Sequence, residues 1–135
     1  MSRLLHLDRS LEDLEGERWP EPSAGTTRLV RTVHALRRVK VGALTVDDLR
    51  TLIAQDVGLP FLLPVALAVL RDDPLAEGRY YEGDLLSVVM RKSPAAWSMF
   101  PDLRRELVAV VSSLPEVPEE LTTEVGRFLD RADRP

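Results

Sequence analysis

Between Thr45 and Leu70 the pattern of apolar and polar positions changes once, and the change places the centre of the fold. Leu49, Leu52, Ile53 and Val57 stand at i, i+3, i+4 and i+8, the spacing of one core-facing helical stripe. From Leu59 to Leu70 apolar residues occupy every side, and a helix of that kind in a soluble chain is the buried one. The first helix has a written start. Thr45 is its N-cap, Asp48 completes a capping box three residues on, and Asp47 with Asp48 makes the first turn acidic, which suits the positive helix end. Gly58 reads as its stop. Pro64 is harmless if it lies in the first three helical residues, so the second helix is expected to begin near Leu62.

The flanking segments continue the helical theme. Ser10 to Glu15 reads as a short amphipathic turn in an extended N-terminal arm over 1–25, with Trp19 either pinning that arm to the body or facing a partner. Leu29, Val33 and Leu36 give a stripe to a helix that starts at Thr26 or Thr27, and His34 on it reads as a structural or surface histidine. Leu85, Leu86, Val88 and Val89 mark a short helix, with Arg91 and Lys92 suited to its C-terminus. Trp97 and Met99 plug the core from a compact turn. Leu103, Leu107, Val110, Val111 and Leu114 define an amphipathic helix, and Pro115 and Pro118 separate it from a C-terminal helix within 115–135. No alternating run of β-branched residues lies between turn signals. The expected fold is all-α: one compact domain, 1–135, of about six or seven short helices around a buried central helix.

Composition narrows the function. A chain of 135 residues, 44 % hydrophobic, suits one core. The apolar run is too short to span a membrane and no basic-then-apolar leader opens the sequence, so a cytoplasmic location is expected. The absence of cysteine removes disulfides, thiolate metal sites and thiol nucleophiles. Catalysis is not expected, because His6 and His34 are the only histidines and neither has a triad setting, and no HExxH, phosphate loop or EF-hand spacing occurs. No cofactor or metal is expected either.

Charge is uneven: residues 28–40 sum to +5 within a chain of net charge −4. Arg31, Arg37, Arg38 and Lys40 are either a solvated face paired with acidic neighbours or the helix of a nucleic-acid-binding regulator. The acidic counterpart is the loop RDDPLAEGRYYEGD, with Asp72, Asp73, Glu77, Glu82 and Asp84 inside thirteen residues, beside Tyr80 and Tyr81. Aromatic area beside charge is common at protein interfaces. On the plain structural reading, one tyrosine covers the core and Asp84 caps the next helix.

The segments LEDLEGERWPEP (Leu11 to Pro22), LVRTVHALRRV (Leu29 to Val39), LTVDDLRTLIAQDVGLP (Leu44 to Pro60) and PLAEGRYYEGDLL (Pro74 to Leu86) together resemble the immunity proteins of bacterial contact-dependent growth inhibition systems. The resemblance runs from about Leu11 to Arg91. Arg79 and Glu82 depart from an expected acid and proline, and Ala54 from a common glycine. What the resemblance implies is a small cytosolic protein that binds the C-terminal toxin domain delivered by a neighbouring cell, often a nuclease, and blocks it. From the loop's composition, Asp72, Asp73, Glu77, Tyr80, Tyr81, Glu82 and Asp84 are the expected contacts, carboxylates facing toxin Lys and Arg and tyrosines serving as anchors.

Overall fold

A computed structural model describes residues 5–132. Its helices are α1 (Leu11–Glu15), α2 (Arg28–Leu36), α3 (Val46–Ala54), α4 (Leu59–Asp72), α5 (Asp84–Met90), α6 (Pro94–Ser98), α7 (Pro101–Ser112) and α8 (Thr122–Ala132). Single 3₁₀ turns at Val41–Ala43 and Glu119–Leu121 complete the set, and no strand occurs among the described residues. The fold is all-α. The helix number rises to eight because the turns at Leu11 and Pro94 each close one helical turn, capped by the hydroxyls of Ser10 and Ser93.

The expected core of α3 is present: Leu49, Leu52 and Ile53 are buried. Both halves of its capping box form, Asp48 N–H to Thr45 Oγ1 at 3.1 Å and Thr45 N–H to Asp48 Oδ2 at 2.9 Å. Its end differs from expectation. The helix closes at Ala54, Asp56 turns left-handed with φ 57°, and Gly58, φ 65°, opens α4 instead. The closing carbonyl of Ile53 accepts the Lys92 ammonium at 2.8 Å, and that ammonium also meets Asp56 at 2.9 Å. Lys92 therefore serves the negative end of α3.

Helix α4 begins at Leu59, not Leu62. Pro64 thus falls inside it, and the Pro60 carbonyl lacks the amide it would receive from any other residue at 64. Burial of Leu59, Leu62, Leu63, Val65, Leu67 and Leu70 offsets one missing bond, since each such side chain contributes about 1.5–3 kcal/mol. All seven residues of α5 are buried as well. It packs against α3, α4 and α8, so two buried helices share the centre. Two expected core residues lie outside it: Leu29 is 44 % exposed and Met99 53 %, while Trp97 is buried.

Candidate functional site

The acidic loop leaves α4 at Asp72 and enters α5 at Asp84. Gly83 makes the entry possible: its φ of 88° belongs to the left-handed region, and a Cβ there would stand 2.6 Å from Leu121 Cδ1. Its N–H donates to the Leu75 carbonyl at 3.1 Å, and the Asp84 N–H to that of Tyr81 at 3.0 Å.

Asp84 is the organising residue of the loop. Expected as a partner contact, it is 1 % exposed, and its carboxylate closes the loop from within. Oδ1 accepts the Gly78 N–H at 2.6 Å and Oδ2 the Tyr80 N–H at 3.0 Å. The intervening Arg79 N–H donates to Asp47 Oδ1 of α3 at 3.0 Å. Three successive amides thus meet two carboxylates, one from α3 and one from α5. A Cβ at Gly78 would lie 3.1 Å from oxygens of both acids, which leaves no room for a side chain to turn inward.

Arg50 ties the carboxylates together. Its Nε donates to Asp47 Oδ1 at 2.8 Å and lies 3.9 Å from Asp84 Oδ2, while Nη2 donates to Thr51 Oγ1 at 3.0 Å. The guanidinium carbon sits 4.5 Å from the centre of the Tyr80 ring, within cation–π range. Burial alone would raise the Asp47 carboxyl, but the hydrogen bonds from Arg50 and the Arg79 amide, with both positive charges, outweigh it and hold the carboxyl below the ordinary aspartate range. Asp47 and Arg50 were not among the sequence-derived candidates. Their i,i+3 spacing on α3 was the available signal.

The remaining candidates divide by exposure. Asp72, Asp73, Glu77 and Glu82 are exposed, and Tyr80 is 65 % exposed despite its two anchors. Tyr81 is half-buried. Its hydroxyl donates to Ser87 Oγ at 3.2 Å, and Ser87 in turn donates to Glu124 of α8. Glu124 also borders a cleft of about 510 Å³ between α5 and α8, together with Arg91, Arg127 and Arg131.

Two cations of the basic segment, Arg37 and Arg38, are paired with carboxylates. Arg37 is 2 % exposed, bonded to Glu15 Oε1 at 2.9 Å and the Glu17 carbonyl at 2.9 Å, with Trp19 stacked 4.1 Å away. Trp19 also meets the His34 ring edge-on at 5.0 Å. Arg38 donates to Glu21 at 2.9 Å, an interaction that lowers the glutamate carboxyl and raises the guanidinium. Arg31 donates to the Thr26 carbonyl. With Arg37 buried, the four cations do not form one open face for a phosphate backbone, so the nucleic-acid reading loses its central residue. No helix of the described residues is long and apolar enough to cross a membrane.

No curated protein matches the chain. A family model for CDI immunity proteins matches residues 13–107, a span that holds Asp47, Arg50, the whole acidic loop and α5. The chain belongs to the family of CDI immunity proteins.

Proposed function

We propose that the protein acts in the cytoplasm as a single helical domain that binds the C-terminal toxin domain of its contact-dependent growth inhibition system. It neutralises that domain by stoichiometric occlusion, without turnover. The observation that carries the assignment of the surface is Tyr80, a large aromatic ring held at its amide and its face yet 65 % exposed. Anchors of this kind dominate interfaces because a rigid ring loses little entropy when a partner desolvates it. Asp72, Asp73, Glu77 and Glu82 are exposed on the same loop and outnumber its exposed cations. A toxin surface rich in Lys and Arg, such as the phosphate-holding site of a nuclease, is its electrostatic complement. Tyr81 and Asp84 contribute by shaping the loop.

The test is to co-express this protein with the C-terminal domain encoded by the neighbouring reading frame. That domain should kill cells alone, and this protein should rescue them and co-purify with it. Tyr80→Ala should weaken the complex at least ~30-fold in titration calorimetry, the scale of an interface hot spot. A harmless domain, or rescue that fails with both proteins well expressed, would remove the immunity reading. Unchanged affinity in the Tyr80→Ala, Glu82→Ala double variant would remove the surface.

A further inference from the structure

We propose that Arg50 is a positioning residue for recognition: by bridging Asp47 and Asp84 and stacking beneath Tyr80, it holds the 78–84 loop in its binding shape before any partner arrives. The inference rests on the surface assigned above.

The geometry argues for this at each atom. Tyr80 is fixed at two points, its N–H on Asp84 Oδ2 at 3.0 Å and its ring 4.5 Å from the Arg50 guanidinium carbon. The second point is Arg50 itself, and the first, the Asp84 carboxylate, has the same guanidinium 3.9 Å from its Oδ2. Asp84 is 1 % exposed, so without a cation nearby its carboxylate would stand in the interior with only backbone amides to balance it. The side chain of Arg50 is only 14 % exposed and contributes little surface of its own to a partner. Its position is therefore unlike that of a contact residue. One guanidinium donates from separate nitrogens to Asp47 and Thr51 while its carbon lies over the ring, a combination that an ammonium on a single point cannot reproduce. A loop ordered in advance raises affinity because the observed dissociation constant is the intrinsic one divided by the fraction of molecules already competent.

Two measurements together decide the matter. The first needs no partner: amide hydrogen exchange at Gly78, Arg79 and Tyr80, followed by NMR. In the native protein these amides should exchange at least ~10-fold slower than in a free peptide of the same sequence, as acceptor-bound amides do. Arg50→Met should remove most of that protection, and Arg50→Lys should keep part of it. The second is affinity for the neighbouring toxin domain in a catalytically inactive form, with Tyr80→Ala as the control for the surface. Arg50→Met should weaken binding by the factor by which it lowers the ordered fraction of the loop, which a protection factor P gives as 1 − 1/P. Tyr80→Phe, which keeps the ring face, should leave both readings near native.

Unprotected amides in the native protein, or exchange unchanged by either Arg50 variant, would overturn the proposal before a toxin is added. If exchange accelerates and Tyr80→Ala weakens binding, but the Arg50 variants bind as tightly as the native chain, positioning is refuted and the surface stands. If Tyr80→Ala also binds normally, the surface itself is wrong. Should Arg50→Met fail to fold, the native exchange rates and Arg50→Lys decide the outcome.

Discussion

Asp47 is bound by two groups that favour its charged form, the Arg50 guanidinium and the Arg79 amide, both on Oδ1. Its carboxyl is consequently held below the ordinary aspartate value. A group whose pKa is depressed by folding stabilises the native state above its unfolded pKa, ~3.9, and loses that contribution as pH falls through the lower folded value. Asp47→Asn should therefore be less stable than the native chain at pH 7, with the gap closing below about pH 4. Urea midpoints of both proteins from pH 7 to 2.5 would measure this. A gap of constant size across the range would mean that the Asp47 charge contributes nothing. Arg37 shows the same residue-scale logic in the basic segment. Its position in the chain says only that it is cationic, whereas Glu15, the Glu17 carbonyl and the Trp19 ring make it an internal tie.

Glycine stands in contrasting surroundings in this fold, at a close approach between elements in one place and on an open helical face in another. At Gly83 the chain turns left-handed between the acidic loop and α5, with Leu121 of the C-terminal 3₁₀ turn against it. At Gly126, inside α8, nothing lies within 4 Å of where a Cβ would stand. The same substitution should have opposite signs at the two sites. Gly83→Ala should destabilise by roughly 2 kcal/mol, from backbone strain and the displacement of Leu121. Gly126→Ala should stabilise by up to ~1 kcal/mol, because alanine loses less entropy in a helix. Thermal midpoints moving in the same direction for both would refute the assignment of these environments.

What the sequence disclosed at this scale follows the range of the interaction. The Thr45–Asp48 capping box spans three residues and was readable as written. The buried character of α4 was readable from composition. Its start at Leu59 was not, because the cost of Pro64 inside the helix is local while the burial that offsets it comes from helices far along the chain. The loop was conspicuous for its acids and tyrosines. The division between exposed Glu82 and buried Asp84, two residues apart, depended on Asp47 and Arg50 more than thirty residues upstream, which no local pattern encodes.

At the level of the whole molecule, α5 is the element around which the others close. It is buried along its entire length, with α3 and α4 against it and α8 covering a further side. The family match ends at residue 107, yet α8 supplies Val125 and Phe128 to the core and Glu124 to the hydrogen bonds that reach Tyr81 through Ser87. Phe128 is 2 % exposed. With Met90 and Trp97 it lies against a small surface crevice that Lys92, Arg104 and Arg131 also border, so its removal would leave a hole beneath α5. Phe128→Ala should therefore cost ~3 kcal/mol or more, a fall of roughly 10 °C in the unfolding midpoint for a chain of this size. If α8 and α5 form one cooperative unit, the variant should unfold in a single transition seen alike by far-UV circular dichroism and by tryptophan fluorescence. An unchanged midpoint, or a low-temperature transition that releases α8 while the remainder melts as before, would show that the C-terminal helix is an appendage and that α3 and α5 support the loop without it.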